Sequence, residues 1–425
     1  MRKEVILKLF LLTFVAGILA CSASSWGSGY LISSHSVRSF GLASAYVANT
    51  DSVDSAYFNP ANMVWLNEAA KVDVGATYIK RPGITFDGTV YGIPAPAESK
   101  DEKEVLPFLH FVSPKYGKWR FGASILEPAG IAQRWDAVFQ EATAEESMLR
   151  VIMINPSVAY MINSRISLAG GLRIVYADAE LKAQLPPGFD QMLSQGYSQD
   201  VEGDAWEVGF NLAVTANLTD SLRISTTFRS EINIDIEGSG SGYTTNPLTG
   251  QIYTFDNVSG RTSIPLPAML SLAISKTIGK ATLEFVYERI FWSAFSDLDL
   301  NFDDPIVELT LGGSRPRDWD DSSNFRFGAS YLHSDNLKLM LGISYEKTPV
   351  PERTLSFDLP DSDLLWLAAG VSYSIKPNIE IGFTYSYGHY MDRTIDASDY
   401  NVNGIVGEFS DSLFHSLTAS FSYRF

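Results

Sequence analysis

The stretch Leu413-Phe414-His415-Ser416-Leu417-Thr418-Ala419-Ser420-Phe421-Ser422-Tyr423-Arg424-Phe425 decides how the rest of the chain is to be read. Every second residue from Leu413 is apolar or ringed, through Leu417, Ala419, Phe421 and Tyr423 to Phe425, and the residues between are mostly polar. A period of two places one set on each face of a strand. In a water-soluble sandwich such a strand would be half buried. Here the sequence closes on the strand's last aromatic, where the interfacial ring belt of a membrane barrel would lie. A barrel in hydrocarbon must pair its last strand with its first, because no backbone edge can stay open there. The reading therefore stands or falls on whether the other strands agree.

They recur through the chain. Trp119, Phe121, Ala123 and Ile125 share a face, as do Ile166, Leu168, Leu172, Ile174 and Tyr176, and then Trp206, Val208, Phe210, Leu212 and Val214. Leu337, Leu339, Leu341, Ile343 and Tyr345 oppose Lys338, Ser344 and Glu346, and Ile379 to Tyr387 repeats the pattern. In the longest segment Ile224, Phe228, Ile232, Ile234 and Ile236 are expected on the outer face, with Arg223, Arg229, Glu231, Asn233 and Asp235 on a polar inner one. Fourteen strands result, near 70–80, 104–113, 119–127, 146–162, 165–182, 201–218, 221–237, 260–277, 280–299, 321–333, 337–347, 362–376, 378–390 and 411–425. Connections alternate strictly between tight turns, such as Asn163-Ser164 and Thr219-Asp220, and long loops such as 81–103 and 391–410. This is the signature of an all-β, antiparallel, up-and-down transmembrane barrel, with short turns on the periplasmic side and long loops outside.

The rest of the chain sets the compartment. Arg2, Lys3 and Lys8 precede the apolar run Leu9 to Ala20, too short to span a bilayer, so residues 1–25 are expected to be a cleaved signal peptide. Ile18-Leu19-Ala20-Cys21 also loosely resembles a lipoprotein processing site, which leaves lipidation of the single cysteine as the alternative to its removal. Without residues 1–25, which carry three basic groups and one acid, the formal charge of −17 becomes −19. Such a surface suits neither nucleic acid nor anionic lipid. After the signal no apolar run reaches 18 residues, which argues against helical spans. Residues 26–67 do not alternate; rich in Ser, Ala, Gly and Asn, they are expected to pack closely against other backbone. Residues 68–425 are then the barrel.

Few residues invite chemistry. The five histidines show no metal-ligand spacing, so neither a metal nor a cofactor is expected. His415 alone has the position a lipid-facing catalytic histidine would need. Phe189, Met192, Leu193 and Tyr197 follow Pro186-Pro187-Gly188 at helical steps, and either pack that loop down or make first contact with a greasy ligand. In the third strand Leu126-Glu127-Pro128-Ala129-Gly130 interrupts the alternation; there the strand either ends or opens toward a neighbour.

At these residues the chain resembles the FadL/TodX family of outer-membrane transporters for long-chain fatty acids and other hydrophobic compounds. Gly29-Tyr30, Phe40 to Tyr46 and Asn59-Pro60-Ala61 look like the family's plug and its Asn-Pro-Ala motif. Phe228 to Asp235 looks like its arginine-serine-glutamate strand, and Thr348 to Arg353, Leu359-Pro360-Asp361 and Trp366-Leu367 look like its sixth loop and twelfth strand. The resemblance implies a lumen closed by residues 26–67, gated at Asn59, Pro60 and Ala61, with sideways release into outer-membrane lipid at the kink of Pro128 and Gly130. The family's carboxylate-binding residues do not carry over; Lys182 lies near such a place, and Phe189, Met192 and Leu193 near the entry. Passive uptake by a monomer in the outer membrane of a Gram-negative bacterium is the expectation, with fatty acid or aromatic hydrocarbon as ligand. A structural or adhesive barrel with a static plug is the alternative, and a polar porin the third.

Overall fold

The computed structural model describes residues 29–185, 196–246 and 249–425. Among them, fourteen antiparallel strands close into one cylinder. They are β1 (Lys71–Arg81), β2 (Glu102–Val112), β3 (Trp119–Arg134), β4 (Glu146–Met161), β5 (Ile166–Leu185), β6 (Tyr197–Asn217), β7 (Leu222–Arg229 and Ile232–Thr245) and β8 (Ile252–Leu266 and Met269–Ile278). The circle continues through β9 (Ala281–Ile290 and Asp297–Phe302), β10 (Gly313–Pro316 and Ser322–Ser334), β11 (Leu337–Glu346), β12 (Leu364–Lys376), β13 (Ile379–Tyr390) and β14 (Leu413–Arg424). Closure is made by β14 on β1, in register from Lys71 opposite Arg424 to Lys80 opposite His415. The first and last strands thus leave no open edge to lipid, which satisfies the backbone where water cannot.

The outer face carries the apolar set. Trp119, Phe121, Leu168, Leu172, Trp206, Val208, Phe210, Leu341 and Phe383 are all exposed, whereas Ser124, Ser167, Thr215, Ser344 and Thr384, of opposite parity, are buried. Rings on neighbouring strands pair into belts, Trp119 with Tyr160 and Tyr176 with Trp206. Among the described residues no helix is long and apolar enough to cross a membrane.

One expected face is overturned. Ile224 lies outside as read, at 39% exposure, but Ile232, Ile234 and Ile236 are buried at 3, 0 and 5%, while Asn233, Asp235 and Glu237 are exposed. The ladder breaks at Ser230 and Glu231, between the two halves of β7. Ser230 leaves the strand and accepts from the Phe210 amide through its hydroxyl, while its carbonyl accepts from Arg173. A slip of one residue exchanges the two faces. Strands β8 to β10 are interrupted too, at residues 267–268, 291–296 and 317–321. Across this sector the outer ends of the strands turn apolar side chains into the lumen and acids outward.

Residues from Gly29 to Leu66 lie inside. Short helices α1 (Val37–Gly41) and α2 (Ser55–Phe58) and a 3-10 turn (Pro60–Trp65) are almost wholly buried. The segment meets the inner face of β2 at His110, β4 at Ser157, β5 at Ser167, β6 at Thr215, β9 at Glu284 and β13 at Thr384. A chain that touches strands all round a closed cylinder from its polar side can only be its plug. Gly342 in β11 shows how close the approach is: a Cβ there would lie 2.1 Å from the backbone carbon of Leu42. Small residues on both sides make that distance possible. Long loops cover the outer end, where Phe86, Phe357 and Phe409 form an aromatic cap with Trp135.

Candidate functional site

Beneath that cap lies an apolar cavity of about 120 Å³. Its wall comes from the inward faces of the strands around the phase slip, with Leu149, Leu181, Val201, Ile236, Ile264, Leu298, Leu300 and Phe302. Its floor is the start of the plug: Tyr30 stands edge-on to Trp292 at 4.8 Å, and Trp319 and Phe295 complete the cluster. The Tyr30 hydroxyl donates to the Pro265 carbonyl, so the ring is held at its polar tip as well. Beside the cluster Arg317 forms a two-pronged pair with Asp358 and a bond to Ser356. Burial would raise the Asp358 pKa, but the Arg317 charge overrides it and holds the carboxyl below its usual range.

The cavity abuts an opening in the wall. Strand β3 does not end at Glu127; it runs on to Arg134 through a bulge between Leu126 and Ala129. Proline at 128 cannot donate to a ladder. Strands β3 and β4 share fourteen residue pairs, but β2 and β3 share only four, from Leu109 opposite Ile125 to Val112 opposite Gly122. Above these, β2 and β3 part, and at the outer end Arg134 pairs with Glu102 at 2.7 Å. The plug backs the resulting window from inside. Leu31 bridges Ala129, the Ile32 amide donates to the Pro128 carbonyl at 2.8 Å, and the Gly130 amide donates to the Tyr30 carbonyl at 3.0 Å. Tyr30 thus touches both cavity and window, and Ile131, one residue past Gly130, lines the cavity.

Asn59, Pro60 and Ala61 sit at the other end of the plug. Pro60 starts the 3-10 turn, and the Asn59 side chain accepts from the Ala61 amide at 3.1 Å. Its amide donates to the Val47 carbonyl and to Thr215 on β6, at 2.8 and 2.9 Å. One side chain thereby ties two plug segments to the wall.

Lys182 is not brought to the cavity. It shares parity with Leu172 and Tyr176 and so points outward, where Glu180, Glu146 and Asp200 surround it. Phe189, Met192 and Leu193 lie outside the described residues. His415 bonds the Tyr385 hydroxyl at 2.8 Å, and the adjacent Ser416 faces inward to Ser386. Among the described residues no group of His, Cys, Asp and Glu could hold a metal ion. Arg315, Arg317 and Asp358 were invisible to periodicity, since they lie on or beyond a strand interruption. The available signal was the run Gly312-Gly313-Ser314-Arg315-Pro316-Arg317, basic within an acidic chain.

A closed cylinder with an inner plug, an apolar cavity and aromatic belts outside defines a plugged outer-membrane barrel. The chain belongs to the outer membrane protein transport protein family (OMPP1/FadL/TodX), whose model matches residues 18–425. It is 26% identical over 408 residues to the long-chain fatty acid transport protein of Salmonella typhi, covering 89% of this chain and 91% of that one. To outer membrane protein P1 of Haemophilus influenzae it is 25% identical over 397 residues, covering 83% and 84%. A crystal structure of a Pseudomonas aeruginosa FadL homologue superposes with a TM-score of 0.79 at 18% identity, covering 93% and 99%. The P. putida toluene transporter TodX gives 0.71 at 17%, covering 92% and 99%.

Proposed function

We propose that the protein takes up long-chain fatty acids, or hydrophobes of similar shape, by passive diffusion from the outside into the cavity and then sideways into outer-membrane lipid. The observation that carries this reading is the window between β2 and β3, closed from within by Tyr30 to Ile32 and adjoining the apolar cavity. Ligand that displaces these three residues joins cavity to window. A carbon chain gains about 0.8 kcal/mol per methylene on leaving water, so entry into lipid needs no energy source. Tyr30 supplies the coupling, since its ring touches the ligand space and its carbonyl the kink. Asn59, Pro60 and Ala61 set how firmly the plug is seated, and the chain works as a monomer. Residues 1–25 direct export and are removed.

The test replaces Asn59 and Pro60 with alanine and follows labelled oleate uptake in cells carrying a correctly inserted barrel. Uptake several times slower or faster than wild type is expected. Unchanged uptake by an intact barrel contradicts gating, and wild-type uptake no faster than in cells lacking the protein favours an adhesive or structural barrel. Permeation of small sugars at the rate of a water-filled channel would point to a porin.

A further inference from the structure

Two buried histidines connect the window to the wall beneath it. His35 belongs to the plug and His110 to β2, at 3 and 0% exposure. Burial holds the His35 pKa down to about 3, so its ring is neutral and carries one N–H. Nε2 of that ring lies 2.8 Å from the Ile32 carbonyl, which can only accept, so this nitrogen bears the proton. The His35 carbonyl in turn accepts from Nε2 of His110 at 2.8 Å, and Nδ1 of His110 meets the Ser124 hydroxyl on β3 at 2.9 Å. His110 and Ser124 stand opposite each other in one of the four pairs that join β2 to β3. His35 is itself anchored in the body of the plug: its ring is edge-on to Tyr57 at 5.2 Å and stacked on Phe58 at 6.3 Å, and its amide donates to Ser39 Oγ at 3.1 Å. Ile32 is therefore gripped on both sides, its amide by the Pro128 carbonyl of the kink and its carbonyl by His35. A buried carbonyl that loses its donor has no water to replace it, so withdrawing this N–H is costly.

We propose that His35 is a positioning residue of the lateral window, a latch whose ring N–H holds Ile32 in the closed state, with His110 tying that latch to the junction of β2 and β3. The proposal rests on the uptake reading and names the bond that breaks when Tyr30 to Ile32 move. Both bonds are between neutral groups, so release strands no charge, unlike a withdrawal from Glu284. Both are also directional, so the segment returns to one place after ligand has passed.

The experiment follows amide hydrogen exchange by mass spectrometry in the intact barrel in lipid nanodiscs, without ligand, for wild type and for His35→Phe, His35→Gln and His110→Phe. The amides of Ile32 and Gly130 are the reporters, since both bond across the window. Those of Val47, Ala48 and Asn49, held by Glu284, are the internal control. His35→Phe keeps the ring contacts and loses the N–H, so exchange at both reporters should rise about threefold to tenfold with the control unchanged. His35→Gln, whose side-chain amide can stand in for Nε2, should recover part of the difference. His110→Phe should raise the same two amides, and its combination with His35→Phe should fall short of the product of the single effects, because both act on one linkage. Unchanged exchange at Ile32 and Gly130 in His35→Phe, or a rise shared equally by the control amides, overturns the latch while the uptake reading stands. A selective rise, beside a wild-type barrel that takes up no labelled oleate, keeps the latch and overturns the uptake reading.

Discussion

The two ends of the plug are held by different forces. From Val37 to Leu66 ionic and charge-assisted contacts stand beside the neutral hydrogen bonds to Ser157, Ser167, Thr215 and Thr384. Glu284 on β9 accepts the amides of Val47, Ala48 and Asn49 at 2.5 to 3.0 Å, and Arg38 bridges Asp51 and Glu380 at 2.6 and 2.7 Å. Arg229 donates to the Tyr57 carbonyl and lies 4.5 Å over its ring. From Gly29 to Ile32 the contacts include a short bridge at Ala129, backbone bonds with Pro128 and Gly130, an aromatic cluster with the Tyr30 hydroxyl on the Pro265 carbonyl, and a bond from the Gly29 amide to Asp361 at 3.1 Å. Buried charge contacts strain to be replaced, because whatever displaces one partner must match the other's charge. Apolar and backbone contacts can be exchanged for a greasy ligand at little net cost. On the proposed route the plug is fixed below and exchangeable above, where cavity and window meet.

Glu284→Ala leaves three plug amides without their acceptor, and we expect a loss of about 2–4 kcal/mol in stability. The expected readout is a leak conductance in planar bilayers and an earlier thermal transition. An unchanged barrel would show that the lower plug does not depend on this carboxylate. A smaller effect is expected at Asp361, in the long connection between β11 and β12. Burial raises its pKa to about 7, against the opposing bonds from Thr348 and Gly29. The folded pKa lies above the unfolded one of 3.8, so the native state binds the extra proton between them. This group therefore favours folding more as pH falls from 7 toward 4, and contributes least above 7. Asp361→Asn should flatten that dependence in thermal melts at pH 5 and 8. A pH dependence identical to wild type would remove Asp361 from the account.

Much of this architecture is legible in the sequence. Alternation from Leu413 to Phe425 and its repeats gave strand positions to within a few residues for most of the barrel, because one face must meet lipid throughout. The outer half of β7 could not be read this way. Isoleucines stand on both sides of Ser230, and a one-residue slip leaves their spacing even while reversing their direction. The plug was legible as a dense run of small residues, though its partners were not, since they come from strands hundreds of positions away. For the site, the interruption at Pro128 was visible, but the extension to Arg134 was not, because a bulge and an end look alike in one dimension. Arg315 was missed for a similar reason: it belongs to a four-residue strand segment too short to carry a period. Lys182 carries the charge such a site would use but has outward parity.

On the proposed route Tyr30 to Ile32 leave the kink before ligand passes. A direct measurement joins Leu31 and Ala129, which face each other across an antiparallel bridge, by a disulfide in a Leu31→Cys, Ala129→Cys double variant. Labelled oleate uptake is expected to stop in the oxidised barrel and to return when the bond is reduced. Uptake at the wild-type rate with the bond shown intact by mass spectrometry would contradict it.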